Sequence, residues 1–195
     1  MIVYLHGFSS AAVSRKASYL KKIFKTDDFH VPDYKAHQPG HSIQYLRGYI
    51  EQRMRLNDRR KMMLMGSSLG GYYAQYLGST LSYVDRVVLI NPALHAQAIL
   101  APYIGKHNNM VTGETFEFTQ ADFEELALFD VVDSAELATT LVLLDEGDDV
   151  IDYRFAVQRY QDIGRVIVYQ GGSHWFDHLD EALPEILAFY EEMEV

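Results

Sequence analysis

The sequence predicts an α/β fold, in which a mostly parallel sheet of about six strands carries helices on both faces. Two observations support this prediction. Short apolar runs alternate along the chain with stretches of helical spacing, and this alternation is typical of parallel strands joined by helical crossovers. In addition, 195 residues with 48% hydrophobic side chains suffice for one domain, residues 1–195, with a substantial core.

Each predicted element rests on its own pattern of apolar residues. The first helix has Ala17, Leu20 and Phe24 on one face, and the second has an inward stripe that includes Ile43 and Leu46. Predicted strands cover residues 1–5, 29–31, 62–65, 84–90, 140–144 and 165–169. Predicted helices cover residues 14–25, 41–57, a stretch from 72 onward, a segment that begins near 153, and 179–194.

The connection between Asn91 and Asp133 is too long for a simple crossover. We expect it to form a small cover over the substrate, with helical pieces at residues 94–100 and 123–128 and an extended piece at 114–118. No linker, internal repeat or low-complexity segment interrupts the sequence. The sequence therefore predicts no domain boundary.

Composition excludes several functional classes. The net charge of −10 argues against a general nucleic-acid binder, because phosphate backbones require a basic surface. The chain has no cysteine, which excludes disulfides, thiolate metal sites and a cysteine nucleophile. No apolar stretch reaches the length of a membrane span, and the first residues lack a signal-peptide pattern. We therefore expect no membrane partner and a cytoplasmic location.

The pentapeptide Gly66-Ser67-Ser68-Leu69-Gly70 lies between a predicted strand and a predicted helix. A serine in a sharp turn of this kind is raised above the sheet and exposed to substrate, and the flanking glycines remove the side chains that would collide there. This context predicts that Ser68 is a nucleophile. The alternative is that the glycines only shape a tight connection and Ser68 caps the helix.

A serine nucleophile needs a histidine base, which in this arrangement follows the last strand. His174 lies in the loop after the strand at 165–169, directly behind Gly171, Gly172 and Ser173. Two adjacent glycines indicate an unusual backbone conformation that presents the imidazole. We therefore predict His174 as the base.

The acid that orients the base should follow the strand at 140–144, but five acidic residues occupy the next eight positions. Asp145 is too close to the end of the strand, and Asp152 is placed to cap the following helix. Asp148 and Asp149 remain. We favour Asp148, because it follows a turn glycine and precedes an apolar pair that should anchor the loop.

The predicted oxyanion hole consists of two backbone N–H donors. One is Leu69, the residue after the nucleophile, and the other is Phe8, which follows the first strand and the pair His6-Gly7. Tyr72 and Trp175 are adjacent to these segments in sequence and are predicted to contact substrate. The spacing of His174 and the histidine four residues later suits zinc on a helix, but the Glu of a metalloprotease motif is missing, so we expect no metal and no cofactor.

These motifs together resemble the small bacterial YqiA-like esterases of the α/β-hydrolase superfamily. The resemblance spans nearly the whole chain, and its most specific part is the Gly-Ser-Ser-Leu-Gly-Gly-Tyr-Tyr block at 66–73. Further matching segments are Leu5-His6-Gly7-Phe8, Asn91-Pro92-Ala93, Thr112-Gly113, Gly147-Asp148, Asp152-Tyr153-Arg154 and Gly171-Gly172 with His174. The resemblance implies carboxylesterase or acyl-CoA thioesterase activity and supports Ser68, Asp148 and His174 as a triad. A sister branch has glycine in place of the elbow serine, whereas this chain retains Ser68.

We interpret the protein as a serine hydrolase of ester or thioester bonds in a small acyl substrate. A catalytically idle hydrolase fold with a binding or regulatory role is the alternative from another class, since fold does not imply function. A C–C hydrolase or an acyltransferase would use the same triad, and the sequence does not predict the oligomeric state.

Charge is distributed unevenly along the chain. Residues 1–113 contain 14 Lys and Arg against 6 Asp and Glu, whereas residues 114–195 contain 3 against 21. Attraction between the two parts is the simpler explanation. A second hypothesis is that a basic edge steers an anionic acyl-CoA towards the site. The basic residues of that edge are Arg15, Lys16, Arg53, Arg55, Arg59, Arg60 and Lys61.

Overall fold

A computed structural model describes residues 1–25, 28–56, 61–132 and 138–193. Its main sheet has six parallel strands in the order β2-β1-β3-β4-β7-β8. The strands are β1 (Ile2–Leu5), β2 (Phe29–His30), β3 (Met62–Ser67), β4 (Val84–Ile90), β5 (Gly105–Asn108), β6 (Thr115–Phe118), β7 (Thr139–Asp145) and β8 (Arg165–Tyr169). The six-stranded parallel sheet confirms the predicted fold class, and β5 and β6 form a separate antiparallel pair.

Helices cover both faces of the main sheet, as predicted. They are α1 (Arg15–Phe24), α2 (Pro39–Leu56), α3 (Leu69–Thr80), α4 (Ala96–Leu100), α5 (Gln120–Leu126), α6 (Arg154–Tyr160) and α7 (Leu179–Glu191). The buried faces of α2, α3 and α6 belong to one apolar cluster, and those of α1 and α7 to the other. The predicted ends of two helices, Asn57 and Glu194, lie outside the described residues.

The central strands are apolar on both faces because helices cover both sides of the sheet. In β1, Val3 and Leu5 join the cluster under α2 and α3, whereas Ile2 and Tyr4 join the cluster under α1 and α7. The same alternation occurs in β3, β4 and β7. All six strands are parallel, so their carboxyl ends lie at one edge of the sheet, where such folds bind ligands.

The long connection after β4 forms the predicted cover. It contains α4, a short 3₁₀ helix at Ala101–Tyr103, the β5–β6 hairpin, α5 and a second 3₁₀ helix at Ala127–Phe129. The extended piece around residues 114–118 is confirmed as β6, but its partner β5 was not predicted. The sequence of β5, Gly-Lys-His-Asn, has no apolar residue, and its residues alternate between partly buried and exposed only in the folded structure. The sequence therefore lacks the alternation of apolar and polar residues that predicts a strand. The predicted limit at Asp133 lies outside the described residues.

Two contacts attach the cover to the helices of the main layer. Glu125 in α5 accepts a hydrogen bond from the Gly40 N–H (2.9 Å) at the start of α2, where a carboxylate is favoured by the unpaired N–H groups of the helix. Tyr72 in α3 donates from its hydroxyl to the Leu126 carbonyl and is within 2.8 Å of an Asp130 carboxylate oxygen. The cover is therefore held by polar contacts as well as by packing.

Substitution of Tyr72 by phenylalanine is expected to destabilise the protein by about 1–3 kcal/mol, because the buried Leu126 carbonyl loses its donor. Tyr83 is the matched control, since its hydroxyl is buried and has no hydrogen-bond partner among the described residues. Tyr83→Phe should therefore be neutral or slightly stabilising. Thermal unfolding of both variants measures the difference. Equal melting temperatures for the two variants would contradict an anchoring role for Tyr72.

Among the described residues, no helix combines the length and the apolar character needed to cross a bilayer.

Candidate active site

Ser68 occupies the turn between β3 and α3 with φ 55° and ψ −123°. A positive φ is unfavourable for a residue with a Cβ, and such strain is found where a site requires it. The hydroxyl makes no capping bond to α3, so the alternative that Ser68 is an ordinary helix cap is wrong. The Ser68 carbonyl instead accepts from the N–H groups of Gly71 and Ala93, at 2.9 Å and 3.0 Å, which holds the turn.

The two glycines of the pentapeptide are required by close backbone contacts rather than by an unusual φ. A Cβ on Gly66 would lie 2.2 Å from the Gly70 carbonyl oxygen, and a Cβ on Gly70 would lie 2.1 Å from the Leu5 carbonyl oxygen. Both separations are far below contact distance, so the start of α3 packs directly on the ends of β1 and β3. The sequence interpretation of these glycines therefore has a direct steric basis.

The structure brings Ser68, His174 and Asp148 together, although they follow three different strands. His174 Nε2 is 3.1 Å from Ser68 Oγ, and His174 Nδ1 is 2.9 Å from Asp148 Oδ2. The Asp148 side chain is almost fully buried, and its Oδ1 accepts from the N–H groups of Val150 (2.9 Å) and Ile151 (2.8 Å). These donors stabilise a negative charge beside the imidazole.

Asp149 does not reach the imidazole of His174. Its carboxylate is 3.5 Å from the His174 backbone nitrogen, at the limit of a hydrogen bond. The expected anchor of the loop is only half correct, because Ile151 is buried whereas Val150 is 43% exposed. Asp152 accepts from the Arg154 N–H (3.0 Å) at the start of α6, but the N-cap residue of this helix is Tyr153, one position later than predicted.

The loop after β1 lies against the nucleophile. A Cβ on Gly7 would be 3.2 Å from Ser68 Cβ and 3.6 Å from Ser68 Oγ. Phe8 follows it, and its ring packs edge-on against four rings of the cover: Tyr103, His107, Phe116 and Phe118. Leu69 is the first residue of α3. Leu69 thus directly follows Ser68 and Phe8 follows the glycine that lies against it, and their N–H roles stay predictions.

The two residues predicted to contact substrate differ in accessibility. Tyr72 is 0% exposed and directs its hydroxyl to the cover, so the prediction that it contacts substrate is corrected to an anchoring role. Sequence adjacency misled because the side chain is buried under the cover, where its hydroxyl donates to the Leu126 carbonyl. Trp175 is 61% exposed and directly follows His174, so a substrate contact stays a prediction for it.

Two polar residues near the site make contacts that the sequence did not predict. Asp145, the last residue of β7, is buried and lies 2.8 Å from His178 Nδ1, and this contact raises the pKa of His178. Lys16 donates from Nζ to the Trp175 carbonyl (2.9 Å), and burial lowers its pKa to about 8. The sequence did mark Asp145 through its position at the end of a strand. We used that position only to exclude Asp145 as the acid that orients His174.

His174 and His178 thus pair with different carboxylates, Asp148 and Asp145. The zinc spacing in the sequence does not correspond to a helix, since α7 begins only at Leu179. Within the described ranges, no group of three or more His, Asp or Glu side chains is arranged to hold a metal ion.

Of the basic residues proposed to steer an anionic substrate, Lys16 lies near the site, where its Nζ donates to the Trp175 carbonyl beside His174, whereas those at the end of α2 and before β3 lie far from Ser68. Arg53 and Arg55 lie in the last turn of α2, and Lys61 directly precedes β3 and pairs with Asp85 at 3.5 Å. Because β3 ends at the elbow, these charges lie at the opposite end of the strand, about 20 Å from Ser68 at the usual rise per residue. That distance exceeds the screening length of about 8–10 Å. Arg59 and Arg60 lie outside the described residues.

The parallel sheet, the strained serine and the cover define a protein with the α/β-hydrolase fold. Similar solved structures include Est1E from Butyrivibrio proteoclasticus with bound ferulic acid (TM-score 0.73, 13% identity, 98% of this chain and 87% of the other). The esterase domain of a Rhodothermus marinus protein has a TM-score of 0.70 at 16% identity, covering 95% and 83% of the two chains. At these identities the likeness shows the fold alone.

Residues 1–191 match the uncharacterised protein family UPF0227, and the chain belongs to that family. The UPF0227 protein YcfP of Salmonella gallinarum (strain 287/91 / NCTC 13346) is 25% identical over 189 residues, which cover 97% of this chain and 98% of the relative. YcfP of Salmonella typhimurium is 25% identical over 191 residues. These matches confirm the family resemblance drawn from the sequence.

Proposed function

We propose that the protein is a serine hydrolase that cleaves carboxylic esters of small molecules through an acyl-enzyme. The observation that carries this proposal is the continuous chain of contacts from Ser68 Oγ through His174 to Asp148, at 3.1 Å and 2.9 Å. The two contacts use opposite nitrogens of one imidazole, which is the arrangement that proton transfer from serine requires.

In the first half of the reaction, Ser68 Oγ attacks the ester carbonyl carbon while His174 Nε2 takes its proton. Asp148 accepts the Nδ1–H and stabilises the imidazolium that forms. The N–H groups of Phe8 and Leu69 stabilise the oxyanion of the tetrahedral intermediate. His174 then gives its proton to the leaving alcohol, and the acyl group stays on Ser68.

In the second half, water attacks the acyl-enzyme. His174 takes a proton from the water, a second tetrahedral intermediate forms at the same N–H groups, and its collapse returns the proton to Ser68 and releases the acid. The residues that act are the same in both halves. No group other than these side chains and backbone donors is needed for the steps described.

Two features of this site support an active enzyme over an idle fold. The chain holds Ser68 at a strained φ of 55°, a cost that a binding module has no need to retain, because glycine would relieve it. In addition, Asp148 is buried with its charge directed at His174. An acyltransferase would share both features and differ only in the acceptor that replaces water.

The test is steady-state hydrolysis of aryl esters of two to eight acyl carbons, with a thioester of equal acyl length alongside, across a salt series. We expect turnover of the esters and flat salt responses for both substrates, because the basic residues of α2 are remote from Ser68 and the charge of Lys16 is offset by the nearby Asp145, Asp148 and Asp177. A rate that falls with rising salt for an acyl-CoA alone would support the hypothesis of electrostatic steering and would favour the thioesterase function. Transfer to an added alcohol in preference to water would identify an acyltransferase instead. Absence of turnover on every ester and thioester would contradict the proposal.

A further inference from the structure

Two buried polar residues that the proposed reaction does not use form hydrogen bonds to the loop that carries His174. Asp145 ends β7 and is 0% exposed, and Asn91 follows β4 and is 1% exposed. Asn91 has a positive φ of 41°, which is uncommon but tolerated by asparagine. Both lie at the carboxyl edge of the sheet, because each follows a neighbouring central strand.

The carboxylate of Asp145 contacts the loop on both sides of His174. Its Oδ2 accepts from the Ser173 N–H at 3.1 Å and from the Asp177 N–H at 2.8 Å. Its Oδ1 lies 2.8 Å from His178 Nδ1. The buried Asp145 carboxylate therefore accepts from three donors within a segment of six residues. A hydrogen bond to a charged acceptor is stronger than one between neutral groups.

Asn91 completes this set of contacts and ties it to the sheet. Its Oδ1 accepts from the Asp145 N–H at 2.9 Å, and its Nδ2 donates to the Ser173 carbonyl at 3.0 Å. The residue thus aligns Asp145 and the loop at once. A buried polar network of this kind is rigid when every member is paired.

The loop packs closely on Asp145 and is contacted from two further sides. A Cβ on Gly172 would lie 2.0 Å from Asp145 Oδ2, so the backbone approaches the carboxylate as closely as glycine allows. On the outer side, the His178 ring stacks on Tyr169 in β8 with a centroid separation of 5.2 Å. Lys16 in α1 holds the Trp175 carbonyl from a third direction.

We propose that Asp145 and His178 form a second aspartate–histidine pair that, with Asn91, positions His174 for catalysis. They are positioning residues, since neither contacts the nucleophile and Asp145 acts on His174 only through the loop. The inference rests on the proposed function, in which the distance from His174 Nε2 to Ser68 Oγ controls proton transfer. A displacement of about 1 Å in such a geometry can cost on the order of 100-fold in rate.

The charges around His178 favour its protonated form. Asp145, Asp177 and Glu181 raise its pKa, with the Asp145 contact as the largest cause, and Tyr169 covers one face of the ring. Lys16 also faces Asp145 and Asp177. Because the pKa in the folded protein is raised, this contribution to stability is present below the unfolded pKa of about 6.5 and is lost as pH rises through the folded pKa.

The test compares three variants with wild type. Asp145→Ala removes the central acceptor, and His178→Phe keeps a ring on Tyr169 but removes the donor. Asp177→Asn is the matched control, because it removes a charge from the same loop while the backbone N–H that contacts Asp145 remains. Each variant is assayed for ester hydrolysis well below its melting temperature, and amide hydrogen exchange is measured for the peptide that covers residues 172–178.

We expect kcat to fall about 100-fold in Asp145→Ala and about tenfold in His178→Phe, with KM changed by less than about threefold. Exchange of the loop peptide should accelerate in both variants and not in Asp177→Asn. Because a purely structural role would lower the folded fraction without changing kcat per folded molecule, circular dichroism separates the two roles. If Asp145→Ala does not fold, His178→Phe carries the same comparison.

Values of kcat per folded molecule within twofold of wild type in both variants would overturn the positioning role. Unchanged loop exchange would overturn the contact network itself. An inactive wild type that also resists serine-directed reagents would overturn the proposed function and, with it, the catalytic role of the pair. The exchange measurement would then still decide separately whether Asp145 and His178 hold the loop.

Discussion

Ser68→Gly is expected to abolish ester hydrolysis and to make the protein more stable at the same time. Loss of the nucleophile should lower kcat by about 10⁶, the scale found for the equivalent serine in a protease. The backbone at this residue has φ 55° and ψ −123°, and a residue with a Cβ in such a region carries strain of about 1–3 kcal/mol that glycine relieves. Glycine also increases the conformational entropy of the unfolded chain, and this offsets up to about 1 kcal/mol of the stability gained from the relief of strain.

The net gain is therefore expected to be about 1 kcal/mol, or a rise of about 2–4 °C in melting temperature for a chain of this size. Ser68→Ala is the matched control, because it removes the hydroxyl and keeps the Cβ and its strain. The two variants should be equally inactive and should differ in stability, with glycine the more stable. Equal melting temperatures, or hydrolysis by either variant, would contradict the assignment of Ser68 as a strained nucleophile.

Asp148→Asn is expected to lower kcat by about 10⁴, the effect of the same change in the serine protease template, with the fold intact. The local contacts explain why. Asp148 Oδ1 accepts from the N–H groups of Val150 and Ile151, so in the variant the amide oxygen stays there and the amide NH₂ takes the place of Oδ2, the oxygen nearer to His174 Nδ1 (2.9 Å against 3.1 Å for Oδ1). The amide NH₂ and the Nδ1–H of His174 are both donors and cannot pair. The imidazole therefore shifts to the tautomer with its proton on Nε2. That tautomer cannot accept the proton of Ser68.

Asp149→Asn is the matched control for the same loop and the same change in charge. Among the described residues, the hydrogen-bond partner of its carboxylate is the backbone nitrogen of His174, at 3.5 Å, and an amide oxygen can take its place, so kcat should change by less than about threefold. Melting temperatures of both variants should stay close to that of wild type. If Asp149→Asn were the more damaging change, the acid would be misassigned by one residue.

The elbow and the main sheet could be predicted because their signals are local. Gly66 and Gly70 mark a turn that no other residue fits, and strands β4 and β8 have the predicted limits. Local turn chemistry also anticipated that Asp148 rather than Asp149 contacts the His174 imidazole, and its catalytic role stays a prediction. In each case the conformation depends on residues that are close in sequence, so it can be predicted from the sequence alone.

The missed features depend on contacts between distant parts of the chain. Tyr72 lies next to the elbow in sequence, but its hydroxyl is satisfied by the cover more than 50 residues away. Strand β5 is defined by its pairing with β6 and not by an apolar pattern. Asn91 and Asp145 approach only because β4 and β7 are neighbours in the sheet, a pairing that spans the entire cover.

The pH dependence of the rate tests the role of His174 without altering the chain. As a general base, His174 must be neutral to accept the Ser68 proton, so kcat/KM should be lower in acid, where the imidazole is protonated, than near neutral pH. A rate independent of pH between 5 and 8 would contradict this role.

Reaction of the folded wild type with a fluorophosphonate, followed by peptide mass spectrometry, tests the central claim most directly. Because this reagent modifies only an activated serine, we predict stoichiometric labelling on the peptide that contains Ser68, and a rate that falls strongly in Asp148→Asn but not in Asp149→Asn. Both Ser67 and Ser68 lie in that peptide, so fragmentation must locate the label. Unlabelled folded protein, or a label on Ser67, would contradict the account of this site.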